Sequence, residues 1–283
     1  MALQKIQELL TTGTGTEGSL LIQRTISPLF DDVEASLIGR QWAAMVFGPA
    51  DIPGSSVDLQ IVTLNSLEVE VVAEGAEIPL GNAAYTNTNV KPKKYGIRPQ
   101  ITREMLEDGK WNLIEHNLRY AALKLAENEN SLTVTALDGA SNTVAGGAAI
   151  TIANITTGMQ HLEGASMKPR VLFVGPEVMN DLRNIDTFAE VNKYGSNEMM
   201  RTGVVGKIYG MDVVVVSTDG LTGYTSTTAY VVDPVHAFVV AEKRPVTVEQ
   251  YDDVTHDMQG AVITQRVAVA TLRGQAIAKI TTS

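Results

Sequence analysis

From Val57 to Val71 the chain alternates. Val57, Leu59, Ile61, Thr63, Leu67, Val69 and Val71 fall at odd positions, while Asp58, Gln60, Ser66, Glu68 and Glu70 fall at even ones. A period of two held over this length predicts one long strand with a single apolar face. The stretch that follows, EGAEIPLGNAAYTNTNVKPKKYGIRP, has turn chemistry at Gly75, Pro79 and Gly81 and a β-prone return through Tyr85, Thr86, Thr88 and Val90. Pro92 confines the return limb to an edge or a bulge. Residues 57–98 therefore read as a long two-stranded ribbon. A fold near Gly81 would set Glu68 beside Lys94 and Glu70 beside Pro92, the acidic limb against the basic one. Two readings stay open for these charges: pairing within the hairpin, worth roughly 0.2–1 kcal/mol per pair, or pairing with another subunit. An isolated hairpin is marginal in water, so a ribbon this long requires support from outside itself.

Composition limits what such a ribbon serves. The chain has 283 residues, enough for one large domain or two lobes. With 44% hydrophobic and 19% charged residues it is globular rather than disordered. Its net charge of −10 argues against nucleic-acid gripping as the organising task, because phosphate neutralisation needs a basic surplus. Cysteine is absent, which removes disulfide scaffolds, thiol nucleophiles and thiolate metal sites. The start, MALQKIQELL, is too short and polar for a secretory signal, and no window approaches the roughly 18 apolar residues of a membrane span. A soluble protein used without secretion is expected.

The other segments read as follows. Residues 1–35 form an arm: a short helix through Leu3, Ile6, Leu9 and Leu10, then the break TTGTGTEGSL. That break contains a formal G-x-G-x-x-G at Gly13, Gly15 and Gly18, but no buried strand precedes it, so a hinge is the reading and not a dinucleotide site. A spine helix is predicted from Lys110 to Asn130, with Trp111, Ile114, Leu118, Ala121, Ala122 and Leu125 on one face and solvated Glu115, Arg119, Lys124 and Glu127 opposite. ALDGASNTVAGGAAI reads as a loop, and residues 154–163 as a short helix capped by Asn154. RVLFVG is a buried strand, and PEVMNDLRN a helix with Pro176 in its first turn. DTFAEVNKYGSNEMMRTGVVGK is a polar loop; MDVVVVS, AYVVD, AFVVAE, VTVEQY and AVITQRVAVATL are strands. The class is α+β.

Catalytic patterns are missing. His116, His161, His236 and His256 are scattered without metal spacing. His256-Asp257 reads as a surface turn, since a base also needs a nucleophile or pocket in reach. GVVGKIYG has Ile where a phosphate-binding loop needs Ser or Thr. Asn154-Ile-Thr156 fits a glycosylation sequon but is read as capping. No catalytic residue, cofactor or metal is expected; the unusual features are an arm, a ribbon and polar loops, which suit a subunit that reaches its neighbours.

The ordered set TEGSLLIQ, VVAEGAEIPLGN…NVKPKKYGIRPQITREMLEDG, VLFVGPEVMNDLRNI, GKIYGMDVVVVS and VAVATLRGQAIAKI resembles the major capsid proteins of tailed bacteriophages and related archaeal viruses, the Hong Kong ninety-seven-type capsid fold, over about residues 15–281. The resemblance implies an N-terminal arm (1–35), an extended loop (55–98), a peripheral domain with the spine helix (36–54, 99–135 and 251–283) and an axial domain (136–250). It implies self-assembly into pentamers and hexamers that close as an icosahedral shell in the host cytoplasm. Double-stranded DNA would lie non-specifically on the inner face, and portal, scaffold, protease or decoration proteins are possible partners; no membrane partner is implied. With Met1 just before the arm, any scaffold is expected on a separate protein unless the sequence is that of a mature form. Arm and loop would embrace neighbouring subunits, and Glu68, Glu70, Glu74, Glu77, Lys91, Lys93, Lys94 and Arg98 are the candidate intersubunit contacts. Lys91, Lys93 and Lys94 lie where some relatives cross-link covalently, but no partner or activating acid is identified and cross-linking is not carried over. An encapsulin-like nanocompartment with the same fold is the alternative, and a soluble α+β hydrolase the remote one.

Overall fold

The computed structural model describes residues 37–62, 69, 71–72, 74–75, 77–78, 83–108, 113–185, 204–217, 224–253 and 255–282. The arm with its Gly-rich hinge, Glu68, Glu70, Gly81 and most of the polar loop after Asp186 lie outside these residues. The described residues form three sheets. A five-stranded sheet runs in the order β1 (Met45–Phe47), β11 (Phe238–Asp253), β12 (Met258–Thr271) and β4 (Lys93–Ile97), with β5 (Gln100–Thr102) also on β12. A six-stranded sheet has the order β6 (Asn142–Gly147), β13 (Ile277–Thr282), β10 (Thr228–Val232), β7 (Val171–Val174), β9 (Met211–Val215) and β8 (Val204–Ile208). β2 (Val57–Val62) and β3 (Tyr85–Val90) form a ribbon of two. The helices are α1 (Ile38–Trp42), α2 (Arg103–Asp108), α3 (Leu113–Leu137), α4 (Ile152–Gly164) and α5 (Pro176–Asn184).

The six-stranded sheet holds the main core. Every residue of β7 is fully buried, as a continuous apolar run between helices requires. α4 covers the sheet with Ile155 and Leu162, and α5 does so with Val178, Met179 and Leu182. Pro176 occupies the first turn of α5, where its missing N–H costs nothing. α4 starts two residues before the expected 154: Thr151 is the cap, its Oγ1 accepting from the Asn154 N–H, while the Asn154 side chain donates instead to the Gly146 carbonyl at 3.0 Å. The expected loop ALDGASNTVAGGAAI is half strand. β6 runs parallel to β13, and glycine at 146 is required because a Cβ there would meet Thr282 Cγ2 at 2.7 Å. GVVGK likewise ends the polar segment as β8, joined to β9 by a tight hairpin in which Tyr209 and Gly210 both have positive φ (48° and 81°).

α3 is the spine. It ends seven residues past the expected Asn130 and packs Leu118, Ala121 and Leu125 on Ala261 and Ile263 of β12. At 1.5 Å per residue its 25 residues span about 37 Å. The added turns hold Thr133 and Thr135, whose hydroxyls donate to the carbonyls of Glu129 and Ser131, four residues earlier. AFVVAE and VTVEQY, read as two strands, are one. β11 passes Pro245 by a register shift against β12, so the proline sits in a bulge that needs no ladder hydrogen bond from it. β11 also runs through the expected boundary at 250, and β13 joins the six-stranded sheet.

Candidate assembly surfaces

The ribbon is built as its alternation demands, over a shorter span. Val57, Leu59 and Ile61 are half-buried, and Asp58, Gln60 and Val62 are exposed. Its base rests on Ile52 and Val90, which pack on Val239 and Ala241 of β11. Register departs from expectation. Val57 faces Val90 and Val62 faces Tyr85, a register centred near residue 73 or 74 rather than 81, and a turn lies at Glu74–Gly75. The basic limb does not return along β2: Lys93 faces Val267 and Lys94 faces Arg266, both on β12. The Glu68–Lys94 and Glu70–Pro92 oppositions are therefore not the register of this ribbon. Pro92 sits between β3 and β4, buried.

The described contact candidates are all at the surface. Glu74, Glu77, Lys91, Lys93, Lys94 and Arg98 are exposed. Around the acidic turn, Val69 (102% exposed) and Val71 (103%) stand fully in solvent and Ile78 (75%) largely so. Single exposed apolar residues are ordinary, but three within ten positions mark a surface made for contact.

Where the described chain begins, a buried ionic cluster anchors it. Arg40 bonds Glu129 of α3 at 2.7 and 3.1 Å and Glu242 of β11 at 2.9 and 3.0 Å, while Gln265 of β12 donates to Glu129 at 2.9 Å. Burial opposes the Arg40 charge, but its hydrogen bonds to Glu129 and Glu242, with their field, outweigh this and raise its pKa. A cavity of about 190 Å³ lies beside the cluster, lined also by Leu37, Ala122, Leu125 and Val246. Sequence reading missed this cluster, because its members lie 89 and 202 positions apart and carry no local signature. A second anchor joins α3 to the six-stranded sheet: Asp138 accepts from Tyr230 and from Lys279, each at 2.6 Å. Burial, then Asp138, holds the Tyr230 phenol protonated.

The histidine pairs are turn fasteners. His256 Nδ1 lies 2.8 Å from Asp253 in an exposed turn, and His236 Nδ1 lies 2.9 Å from Asp233. Asp257, the neighbour in the His256-Asp257 pair, binds Arg103 instead, at 3.0 Å. Among the described residues no group of three or more His, Asp or Glu is placed to hold a metal ion. No described helix is long and apolar enough to cross a membrane.

Two larger sheets, a long helix packed on one of them and a two-stranded ribbon footed on β11 make up the described fold. The chain belongs to the phage capsid protein family, whose model matches residues 85–280. Its fold is that of the Hong Kong ninety-seven-type capsids. The capsid of cyanophage P-SCSP1u superposes with a TM-score of 0.66 at 12% identity, over 87% of this chain and 88% of that one. A chain of Microbacterium phage Oxtober96 gives 0.64 at 15% identity, over 87% and 91%. The virus-like particle from Pyrococcus furiosus gives 0.61 at 12%, over 91% and 98%. No curated protein matches the sequence. The protein is a structural component of a capsid shell, a role that is not enzymatic.

Proposed function

We propose that this chain is the major capsid protein of a tailed virus, assembling in the host cytoplasm into pentamers and hexamers that close as an icosahedral head around double-stranded DNA. The observation that carries the reading is the bare segment around the Glu74 turn: Val69, Val71 and Ile78 stand fully or largely in solvent, and every described residue from 69 to 78 is exposed. A monomer carrying such a bare extended segment risks edge-to-edge association; in a shell the same groups become contacts by strand addition. In this reading the arm (1–35) and extended loop (55–98) embrace neighbours, the five-stranded sheet with α3 is the peripheral part, and the six-stranded sheet is the axial part around the symmetry axes. Glu68, Glu70, Glu74, Glu77, Lys91, Lys93, Lys94 and Arg98 make the intersubunit contacts. Heterologous contacts of this kind close into rings. The net charge of −10 fits an inner wall that does not adhere to packaged DNA; a net positive inner surface in the assembled shell would contradict that part.

The test is negative-stain microscopy with size-exclusion chromatography of the purified protein. Closed shells are expected; small discrete oligomers under every assembly condition overturn the reading. Shells purified from the native source should contain double-stranded DNA, whereas shells filled with an enzyme cargo would make this a nanocompartment. The Lys93→Glu/Lys94→Glu variant should impair shell formation while the subunit keeps its wild-type circular dichroism spectrum, and normal shells from it would remove both lysines from the contact set.

A further inference from the structure

The face of the five-stranded sheet turned away from α3 carries a charge pattern that folding alone opposes. On that face Lys94 of β4 stands opposite Arg266 of β12, which stands opposite Arg244 of β11, so one rung across three antiparallel strands is Lys–Arg–Arg. Neighbouring strands lie about 4.8 Å apart, which places three cations within about 10 Å. Like charges directly opposite destabilise a sheet. A register shift between Glu242 and Arg244 leaves Lys243 as an extra residue and sets it beside the same rung. Together with Pro49 and Pro245 these four residues line a depression of about 570 Å³.

Among the described residues no carboxylate lies within ion-pairing distance of Lys94, Lys243, Arg244 or Arg266. Lys243 donates to the Ile52 carbonyl and Arg266 to the Pro92 carbonyl, neutral acceptors that hold the side chains in place. Arg244 Nε is buried without an acceptor among the described residues. On the same face, Ile52 and Val90 cover the neighbouring rung, Ala241 opposite Ala268. Beyond the cations the next rung is Gly96, Thr264 and Thr247, small residues that leave the floor low.

We infer that this four-cation depression receives the acidic turn of a second copy of the chain, with Glu74 and Glu77 as its carboxylates. The turn supplies what the depression lacks. Glu74 and Glu77 are exposed, and Ile78 beside them offers apolar surface for Pro49 and Pro245. Nucleic-acid phosphate is the competing anion, but it has no use for the prolines, and a chain of net charge −10 repels it at range. Among the described residues no ion pair within the subunit joins Glu74 or Glu77 to these four cations, and the ribbon register leaves Lys94 on β12. The inference rests on the shell reading and names the residues that read one subunit to the next.

Charge exchange tests it. Three proteins are compared with wild type for shell yield by microscopy: Glu74→Lys/Glu77→Lys, Lys94→Glu/Arg266→Glu, and the two pairs combined. Each reversed pair sets like charges together across the contact, so yield should fall by about tenfold or more, and the combined protein should recover it. The first pair lies on an exposed turn and leaves the folded core untouched, and an unchanged melting temperature confirms this. Shells at wild-type yield from either pair, or no recovery in the combination, overturn the inference while leaving the shell reading intact. Loss of yield in the second pair alone, with DNA binding lost in parallel, assigns the depression to nucleic acid instead. Wild-type protein that never forms shells removes the shell reading itself and the inference with it.

Discussion

Arg40 shows how one side chain ties distant sequence together. Its guanidinium forks against Glu129 and Glu242, and Glu129 is only 2% exposed. Taking one partner from such a group leaves a charge buried and uncompensated, which costs about 3–5 kcal/mol. Arg40→Ala should therefore lower unfolding free energy by about that amount in urea titration; a loss under 1 kcal/mol would mean that water reaches Glu129 through the adjacent cavity. Arg40→Met with Glu129→Leu, Glu242→Leu and Gln265→Leu should recover most of the loss, because the buried Gln265 amide would otherwise lose its acceptor and an apolar group of similar volume carries no desolvation cost. None of these partners was legible beforehand. Arg40 follows a Gly in a short helix, Glu129 sits on the spine among ordinary solvated charges, and Glu242 borders a bulge.

At the scale of elements, what was legible was local. VLFV is buried on both faces and shows it as an unbroken apolar run; Pro176 announces α5; Leu118, Ala121, Ala122 and Leu125 announce the packed face of α3. What failed depended on partners far along the chain. Gly146 looks like loop punctuation until Thr282 is laid against it. Pro245 looks like a strand end until the bulge on β12 is known. The ribbon's alternation gave its faces correctly, but no local signal chose between Glu74–Gly75 and Gly81 for the turn, and that choice decides which charges meet. The ribbon also depends on a single apolar foot. Ile52 is fully buried between Val90 and β11, so Ile52→Ala should cost about 2–5 kcal/mol. Because the six-stranded core does not include Ile52, a two-probe melt should show the ribbon loosening before that core; one coincident transition would mean that the two unfold as a unit.

The whole molecule divides its stability unevenly, and assembly should redistribute it. The six-stranded sheet with α4 and α5 holds the main core, and its inner strands β7 and β10 are buried throughout in the isolated subunit. Its amides should open only with global unfolding and exchange slowly both free and in the shell. The β2–β3 ribbon is different: among the described residues its two strands pair only with each other, β3 is exposed at four of its six residues, and a two-stranded pair is marginal without support. In the free subunit its amides should exchange close to the rate of the unfolded chain. If neighbours cover it, those same amides should slow by at least about a hundredfold on assembly, since about 2.7 kcal/mol of added local stability corresponds to that factor. Hydrogen–deuterium exchange on free and assembled protein reads both segments in one experiment, with the six-stranded sheet as the internal standard. Slowing at residues 57–62 and 85–90 alone would place the contact on the ribbon. Equal exchange there in both states, in shells that microscopy shows to be closed, would mean that the shell is held by other surfaces and that the ribbon's bare valines have another purpose.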